Sequence, residues 1–451
     1  MMVSDVYKRF LECTSLSTDS RNIDSGCMYV ALKGENFDGN EFALDSLNKG
    51  AKYAIVDDEN VASDGRFILV KNGLAALQEL ALYHRSQFDI PIIGITGSNG
   101  KTTTKEWFYQ AVGNSKMVYK SPKSFNSQLG VALSVLKCDT YADLAIFEAG
   151  ISHEGEMLNL QKMLQPQIGF ITNIGEAHQA NFTTINAKLK EKLLLFKDAE
   201  TILYCANQKI VEKAIVETYP HKKIYSWGSK ETDALRVIHF SANSVSCSYK
   251  EKRFEINVKG NNSYHFENVM NCLLLGLVLE LEPAILARNI GDLKPLPMRL
   301  EMKQGKHGTI LVNDSYSADF QSLEVALDYL FKVGGNQNKT LVLSQFDDQK
   351  VSAKAYEDKL NDYVKRYELT KVVLVGSQLL HLKINASKLV TFANTKELLQ
   401  KTDVKSFEGE AVLVKGARRF QLEKLIYLFQ AKSHKTRLEI NLSALRNNYG
   451  F

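Results

Sequence analysis

Residues 94–104 read Gly-Ile-Thr-Gly-Ser-Asn-Gly-Lys-Thr-Thr-Thr and follow the apolar run Ile90-Pro91-Ile92-Ile93. Few patterns constrain a fold so strongly. A buried strand has to run into a glycine-rich turn, and a helix has to open at the lysine. Only then do backbone N–H groups, the Lys101 ammonium and the positive end of a helix converge on one polyanion. Gly97, Ser98, Asn99, Gly100, Lys101, Thr102 and Thr103 are therefore expected to cradle the phosphates of ATP, with Thr102 placed to ligate Mg2+. The strict phosphate-loop pattern wants glycine at position 95, where Ile95 stands; the core Gly97-x-x-Gly100-Lys101-Thr102 is intact. Trp107, Phe108, Ala111 and Val112 supply the amphipathic helix that must follow.

A chain of 451 residues exceeds one ordinary domain. Its 45% apolar and 24% charged residues are those of a globular protein, and a net charge of +5 is too small at this length to argue for nucleic acid. Six scattered cysteines without a Cys-x-x-Cys pair argue against zinc and against a disulfide framework; reduced thiols and a cytoplasmic location fit them. The N-terminus has no secretory pattern. The longest apolar stretch, Cys272 to Leu279, is far short of the roughly 20 residues of a spanning helix, so no membrane insertion is expected.

Short apolar runs alternate with helical patterns along the chain, which predicts an α/β protein with parallel sheets covered on both faces. Three units are expected. Residues 1–87 hold the strands Met28–Leu32, Tyr53–Val56 and Phe67–Val70 with a helix from Leu74 to Ser86. Residues 88–296 hold the phosphate loop and the runs Leu144–Phe147, Ile168–Thr172 and Ile202–Cys205. After Pro295-Leu296-Pro297 the alternation restarts over residues 297–431, with runs at Thr309–Asn313, Lys339–Leu343, Lys371–Val375 and Ala411–Val414. Residues 432–451 form a strand-like then helix-like beginning that belongs to none of these units.

Open parallel sheets bind ligands at the C-terminal ends of their strands. Glu148 closes one strand there and His178 follows the next, which makes the pair a candidate metal site beside the loop. Arg299, Asp314, Lys415 and Arg418 gather at the corresponding edges of the third unit. Asn268 and Asn271, three apart on one helix face, suit either adenine recognition or packing. Lys188, Lys190 and Lys192 read by spacing as the solvated face of a helix.

Taken in order, these segments resemble the Mur ligases, the ATP-dependent amide-forming enzymes of peptidoglycan precursor synthesis. Thr18-Asp19-Ser20-Arg21, Gly26 and Val30-Ala31-Leu32-x-Gly34-Glu35-x-x-Asp38-Gly39 resemble that family's uridine-nucleotide domain. Gly97 to Thr104 resembles its phosphate loop. Phe147-Glu148-Ala149-Gly150 and Thr172-Asn173-Ile174-Gly175-x-Ala177-His178 resemble its metal segments, and Asp314-Ser315-Tyr316 and Val414-Lys415-Gly416-x-Arg418 its C-terminal motifs. The resemblance implies three domains: an N-terminal uridine-nucleotide domain, a central parallel-sheet ATPase domain and a C-terminal Rossmann-like domain. It also implies a role in cell wall biogenesis, and so in cell shape and division.

Within the family the likeness is to the member that joins D-alanyl-D-alanine to UDP-N-acetylmuramoyl-tripeptide through an acyl phosphate. Other readings are a diaminopimelate- or lysine-adding ligase, a folylpolyglutamate-type enzyme, or a catalytically silent nucleotide-binding scaffold. The resemblance implies ATP and two Mg2+, with Lys101, Glu148, His178 and Lys192 carrying the chemistry and Thr102, Glu148, His178 and Lys192 holding metal. In that family a lysine after the metal histidine is carbamylated; Lys192, with Phe196 following, aligns with it, and Lys190 is the second choice. Ser20, Arg21, Asn126, Ser127, Lys415 and Arg418 fall at substrate-binding positions, and Asn268, Asn271, Arg299 and Asp314 at nucleotide-binding ones. The chain departs from the family pattern at Ser124, Ser127, Glu267, Ser317, Asp319, Phe320, Ser344 and Gln345. Residues 434–449 resemble the opening of alanine racemases, which some bacteria fuse to this ligase. The lysine that would bind pyridoxal phosphate would lie beyond Phe451.

Overall fold

The computed structural model describes residues 2–34, 37–138, 140–175, 181–241, 243–258, 263–346 and 352–430, with backbone alone at 263 and 264. Among the described residues no helix is long and apolar enough to cross a membrane. The chain forms two compact units, one running to Leu296 and joined by Asp319–Ser322, the other built from Pro297 onward.

The first unit contains a small parallel sheet in the order Leu16–Ser17, Met28–Val30, Tyr53–Val56, Phe67–Leu69. The strand expected to reach Leu32 stops at Val30. The helix Gly73–Arg85, capped by the Asn72 side chain, follows this sheet. A larger sheet of nine strands carries the phosphate loop. Its order runs Lys252–Asn257, Ser244–Tyr249, Leu235–Phe240, Lys223–Gly228, Thr201–Cys205, Ile168–Ile171, Ile92–Thr96, Leu144–Glu148, Val118–Lys120. Neighbours are parallel except for the hairpin edge formed by the first three.

Alternation along these strands builds two cores, because successive side chains leave opposite faces. Ile93, Ile95, Ile146, Phe170 and Leu203 pack on one side with Trp107, Phe108 and Met270. Ile92, Ala145, Phe147, Ile171 and Ile202 pack on the other with Val131, Leu160, Leu193 and Phe196. Both faces are thus roofed by helices, and the polar groups needed for chemistry are left to the strand ends.

The second unit is a six-stranded sheet in the order Glu301–Gln304, Ile310–Asp314, Ala411–Lys415, Lys339–Ser344, Leu369–Val375, Lys388–Phe392. It is parallel apart from its first strand. Strands far apart in sequence therefore become neighbours: Asp314 and Lys415 are register partners at adjoining C-terminal ends.

Candidate active site

The strand Ile92–Thr96 ends in the turn, and the helix Lys101–Val112 begins at the lysine. Two glycines make this possible. Gly97 has φ +138°, and a Cβ there would lie 2.1 Å from Thr172 Oγ1. Gly100 has φ +84°, and its Cβ would lie 2.9 Å from Asn268 Oδ1. The turn is laced to the next strand end: Ser98 N donates to Asn173 O at 2.9 Å, Asn99 N to Asn173 Oδ1 at 2.8 Å, and Thr172 Oγ1 to Asn99 O at 2.6 Å. Gly175 N donates to Ser98 Oγ at 2.8 Å. Lys101 folds back over its own loop, its Nζ donating to Gly97 O at 2.7 Å and Ser98 O at 3.1 Å.

At the head of that helix Thr102 Oγ1 donates to Glu148 Oε2 at 2.9 Å and lies 2.9 Å from Ser124 Oγ. Glu148 is fully buried. Its Oε1 lies 2.9 Å from the Lys105 ammonium, an ion pair without hydrogen-bond geometry, so that oxygen keeps unused accepting capacity among the described residues. Neighbouring ligands around an octahedral Mg2+ at 2.0–2.1 Å stand about 3 Å apart. The Thr102 and Glu148 oxygens have that spacing, so these residues fit a divalent cation. Among the described residues no three His, Cys, Asp or Glu side chains gather to hold a metal ion. A hydroxyl plus one carboxylate is the sparse donor set that Mg2+ accepts when phosphates and water complete its shell. His178 lies outside the described residues.

The three lysines do not form a wet helix face. On the helix Ile185–Leu193 the i, i+4 spacing puts Lys188 and Lys192 on one side, where both are buried, while Lys190 is exposed. The helix is pinned by Phe196, whose ring fills the space that a side chain on Gly169 would need. Lys188 donates to Gly175 O, next to the phosphate loop. Burial, and then the nearby charges of Lys101 and Lys188, hold the Lys192 ammonium well below its ordinary pKa. Both effects shift the balance toward the neutral amine.

Asn268 and Asn271 are buried and tied into the packing. Thr104 Oγ1 donates to Asn268 Oδ1 at 3.1 Å, and Trp227 Nε1 to Asn271 Oδ1 at 2.7 Å. Burial pushes the Glu267 carboxyl upward in pKa. Asn126 Nδ2 lies 3.5 Å from Glu148 Oε2, and its carbonyl accepts from Gly150 N at 2.8 Å. Ser127 caps the helix Gln128–Leu136. In the small sheet's connection, Arg21 is exposed and makes a two-pronged pair with Asp19 at 2.8 Å per bond, while Ser20 O accepts from Lys49 Nζ at 3.1 Å. In the second unit Lys415 Nζ pairs with Asp314 Oδ2 at 2.6 Å, Arg299 stacks on Tyr316 with its guanidinium carbon 4.4 Å from the ring centre, and Arg418 pairs with Glu423.

No motif in the sequence points to Lys105. It lies one helical turn after Lys101, is fully buried, and touches Glu148, Glu106, Ser121 and Lys123. The only signal available in advance was a lysine spaced i+4 from the phosphate-loop lysine.

Fold and loop together define a nucleotide-dependent α/β enzyme with its polar groups at parallel strand ends. Comparison with known proteins narrows the class. Residues 95–276 match the Mur ligase middle domain, and residues 12–85 match the Mur ligase family catalytic domain. The chain belongs to the Mur ligase family. It is 27% identical to the UDP-N-acetylmuramoyl-tripeptide–D-alanyl-D-alanine ligase of Bacillus subtilis over 91% of this chain and 92% of that one. It is 29% identical to the ligase of the same name from Rickettsia prowazekii over 93% and 96%. Two solved structures share the fold at 22% identity. MurF from Acinetobacter baumannii has a TM-score of 0.80, covering 94% of this chain and 98% of that one. MurF from Thermotoga maritima in complex with ADP has a TM-score of 0.76, covering 93% and 97%.

Proposed function

We propose that this chain joins D-alanyl-D-alanine to UDP-N-acetylmuramoyl-tripeptide at the expense of ATP, in peptidoglycan precursor synthesis. The observation that carries the reading is the phosphate loop with Lys101, Thr102 and Glu148 at its mouth, in a chain that matches ligases of that name over nine-tenths of its length. The tripeptide's terminal carboxylate attacks the γ-phosphorus, the bond to ADP breaks, and an acyl phosphate forms. The free amine of D-alanyl-D-alanine then attacks the acyl carbon, phosphate leaves, and the amine gives up its proton.

The first step brings anions together, so positive charge fixed in place lowers its barrier. Lys101 is assigned to the phosphates, and Thr102, Glu148, His178 and a carbamylated Lys192 would together hold two Mg2+. Mg2+ there would supply charge screening for the transferred phosphoryl group. The depressed pKa of Lys192 supports its choice over exposed Lys190, because a neutral amine is the form that takes up CO2. Residues 1–87, 88–296 and 297–431 are proposed as the UDP-substrate, ATP and C-terminal ligase domains. Ser20, Arg21, Asn126, Ser127, Lys415 and Arg418 are assigned to substrates, and Asn268, Asn271, Arg299 and Asp314 to the nucleotide side. The cytoplasm, where these substrates are made, is the proposed location. Residues 432–451, outside the described residues, are proposed to lead into an alanine racemase, and the reading frame beyond Phe451 tests that.

The decisive assay is phosphate release from ATP. Release that needs both UDP-N-acetylmuramoyl-tripeptide and D-alanyl-D-alanine is expected. Release with diaminopimelate or lysine on the dipeptide-bearing precursor, or none with any amine, overturns the assignment; the latter leaves a scaffold. For Lys192, 13C-bicarbonate should give a carbamate resonance that Lys192→Arg removes and Lys190→Arg keeps.

A further inference from the structure

We propose that Lys105 is a positioning residue of the nucleotide–metal site: through its fully buried ammonium it holds the Glu148 carboxylate and the turn bearing Ser124 against the head of the phosphate-loop helix. The inference rests on the assignment of Glu148 to metal in the preceding reading.

Lys105 is 0% exposed, a rare state for a lysine, which is almost never fully buried unless its ammonium is paired. Two segments close on it, the Ser121–Lys123 turn through hydrogen bonds and Glu148 through an ion pair. Nζ donates to Ser121 O at 2.7 Å and to Lys123 O, and stands 2.9 Å from Glu148 Oε1. Glu106 Oε1 is 3.3 Å away on its outer side. Ser121 is itself fixed to the sheet, its N–H donating to Ile146 O at 3.0 Å. Glu148 N in turn lies 3.4 Å from Ser121 Oγ. Lys123, whose carbonyl is the second acceptor, has φ +49°, so the turn reaches Lys105 in a backbone conformation that residues with side chains rarely adopt.

The consequence falls on the other carboxylate oxygen. With Oε1 drawn toward Lys105, Oε2 is presented to Thr102 Oγ1 at 2.9 Å, and Ser124, next after Lys123, places its hydroxyl 2.9 Å from Thr102 Oγ1. The Glu148 carboxylate and the Ser124 hydroxyl thereby both meet the Thr102 hydroxyl. Take away the ammonium and Glu148 Oε1 loses its ion pair, while the Ser121–Ser124 turn loses two hydrogen bonds and keeps the Ser121 N–H bond to Ile146 O. The described side-chain contacts of Lys105 are to Ser121, Lys123, Glu106 and Glu148, whereas Lys101 Nζ is described on Gly97 O and Ser98 O, so the phosphate cradle itself should survive its loss.

The test is ADP binding by calorimetry, with Mg2+ and with EDTA, in wild type, Lys105→Met, Lys105→Arg, Glu148→Gln and the Lys105→Met/Glu148→Gln pair. Wild type should bind more tightly with Mg2+. Lys105→Met should lose at least about tenfold of that gain, as for the removal of partners that orient metal ligands. Its affinity in EDTA should stay within about threefold, and Lys105→Arg should keep more of the gain than Lys105→Met. Acting through Glu148, the methionine should add less than about twofold in the glutamine background. That last comparison carries the test if Lys105→Met alone does not fold, since removing both charges together avoids a lone buried ion. An undiminished Mg2+ gain in Lys105→Met, an equal loss in EDTA, or a full loss in the glutamine background overturns the inference. Absence of any Mg2+ gain in wild type overturns the metal assignment of Glu148 as well.

Discussion

Replacing Gly97 by alanine should disable the nucleotide site without unfolding the unit. The backbone there has φ +138°, and the new Cβ would sit 2.1 Å from Thr172 Oγ1, 2.9 Å from Asn173 O and 3.0 Å from Asn173 N. Strain from a side chain at positive φ costs about 1–2 kcal/mol. Thr172 is buried and β-branched, so it cannot swing aside cheaply. Relief has to come from moving the turn, which breaks the Thr172 bond to Asn99 O and the Ser98 bond to Asn173 O, at about 1 kcal/mol each. The sum is about 3–4 kcal/mol. In the free protein the turn relaxes and recovers much of this, whereas a loop closed on phosphates cannot. ADP affinity measured by calorimetry should therefore fall about 100-fold, since 1.4 kcal/mol is a factor of ten. Gly409→Ala is the control: φ is +68° but nothing lies within 4 Å, so strain is added without a clash and ADP affinity should not change. A Gly97→Ala protein that binds ADP within about threefold of wild type would refute the reasoning.

Two further outcomes concern stability, and both can be read from tryptophan fluorescence, because Trp107 and Trp227 are the only tryptophans and share one core. His265, its ring 4.5 Å from that of Trp107, is held by burial down to a pKa of about 4 from 6.5, so it is neutral in the fold and protonated in the unfolded chain below pH 6.5. Its contribution is complete above that value and drains away as pH falls toward 4; between pH 7 and pH 5 the urea midpoint should drop by the equivalent of about 1–2 kcal/mol, less in His265→Gln. Asn271→Leu leaves the Trp227 N–H buried without its 2.7 Å acceptor and should cost about 1–3 kcal/mol; an unchanged midpoint would remove the packing role assigned to Asn271.

Much of the fold was legible from contiguous residues. Apolar runs bounded by glycine and polar residues placed the strands Ile92–Thr96, Leu144–Glu148, Ile168–Ile171, Lys339–Ser344 and Ala411–Lys415, and alternation with helical patterns implied parallel sheets. The hairpin edge Leu235–Asn257 and the strands Glu301–Gln304 and Lys388–Phe392 carried no such signal, because few of their residues are buried and polar side chains interrupt the apolar ones.

The phosphate loop belongs to the sequence itself. Its requirements, a positive φ at Gly97 and Gly100 and a lysine at a helix start, are local backbone conditions met by neighbouring residues. The state of the charges belongs to the tertiary structure. Lys188, Lys190 and Lys192 are chemically alike and evenly spaced, yet two are buried and one is exposed, according to which side of the helix meets the sheet. Lys105 resembles an ordinary solvated helix lysine until Glu148 and the Ser121–Lys123 turn close over it from elsewhere in the chain. A lysine's solvation depends on how much water its surroundings displace, and that is decided by segments tens of residues away rather than by its neighbours in sequence.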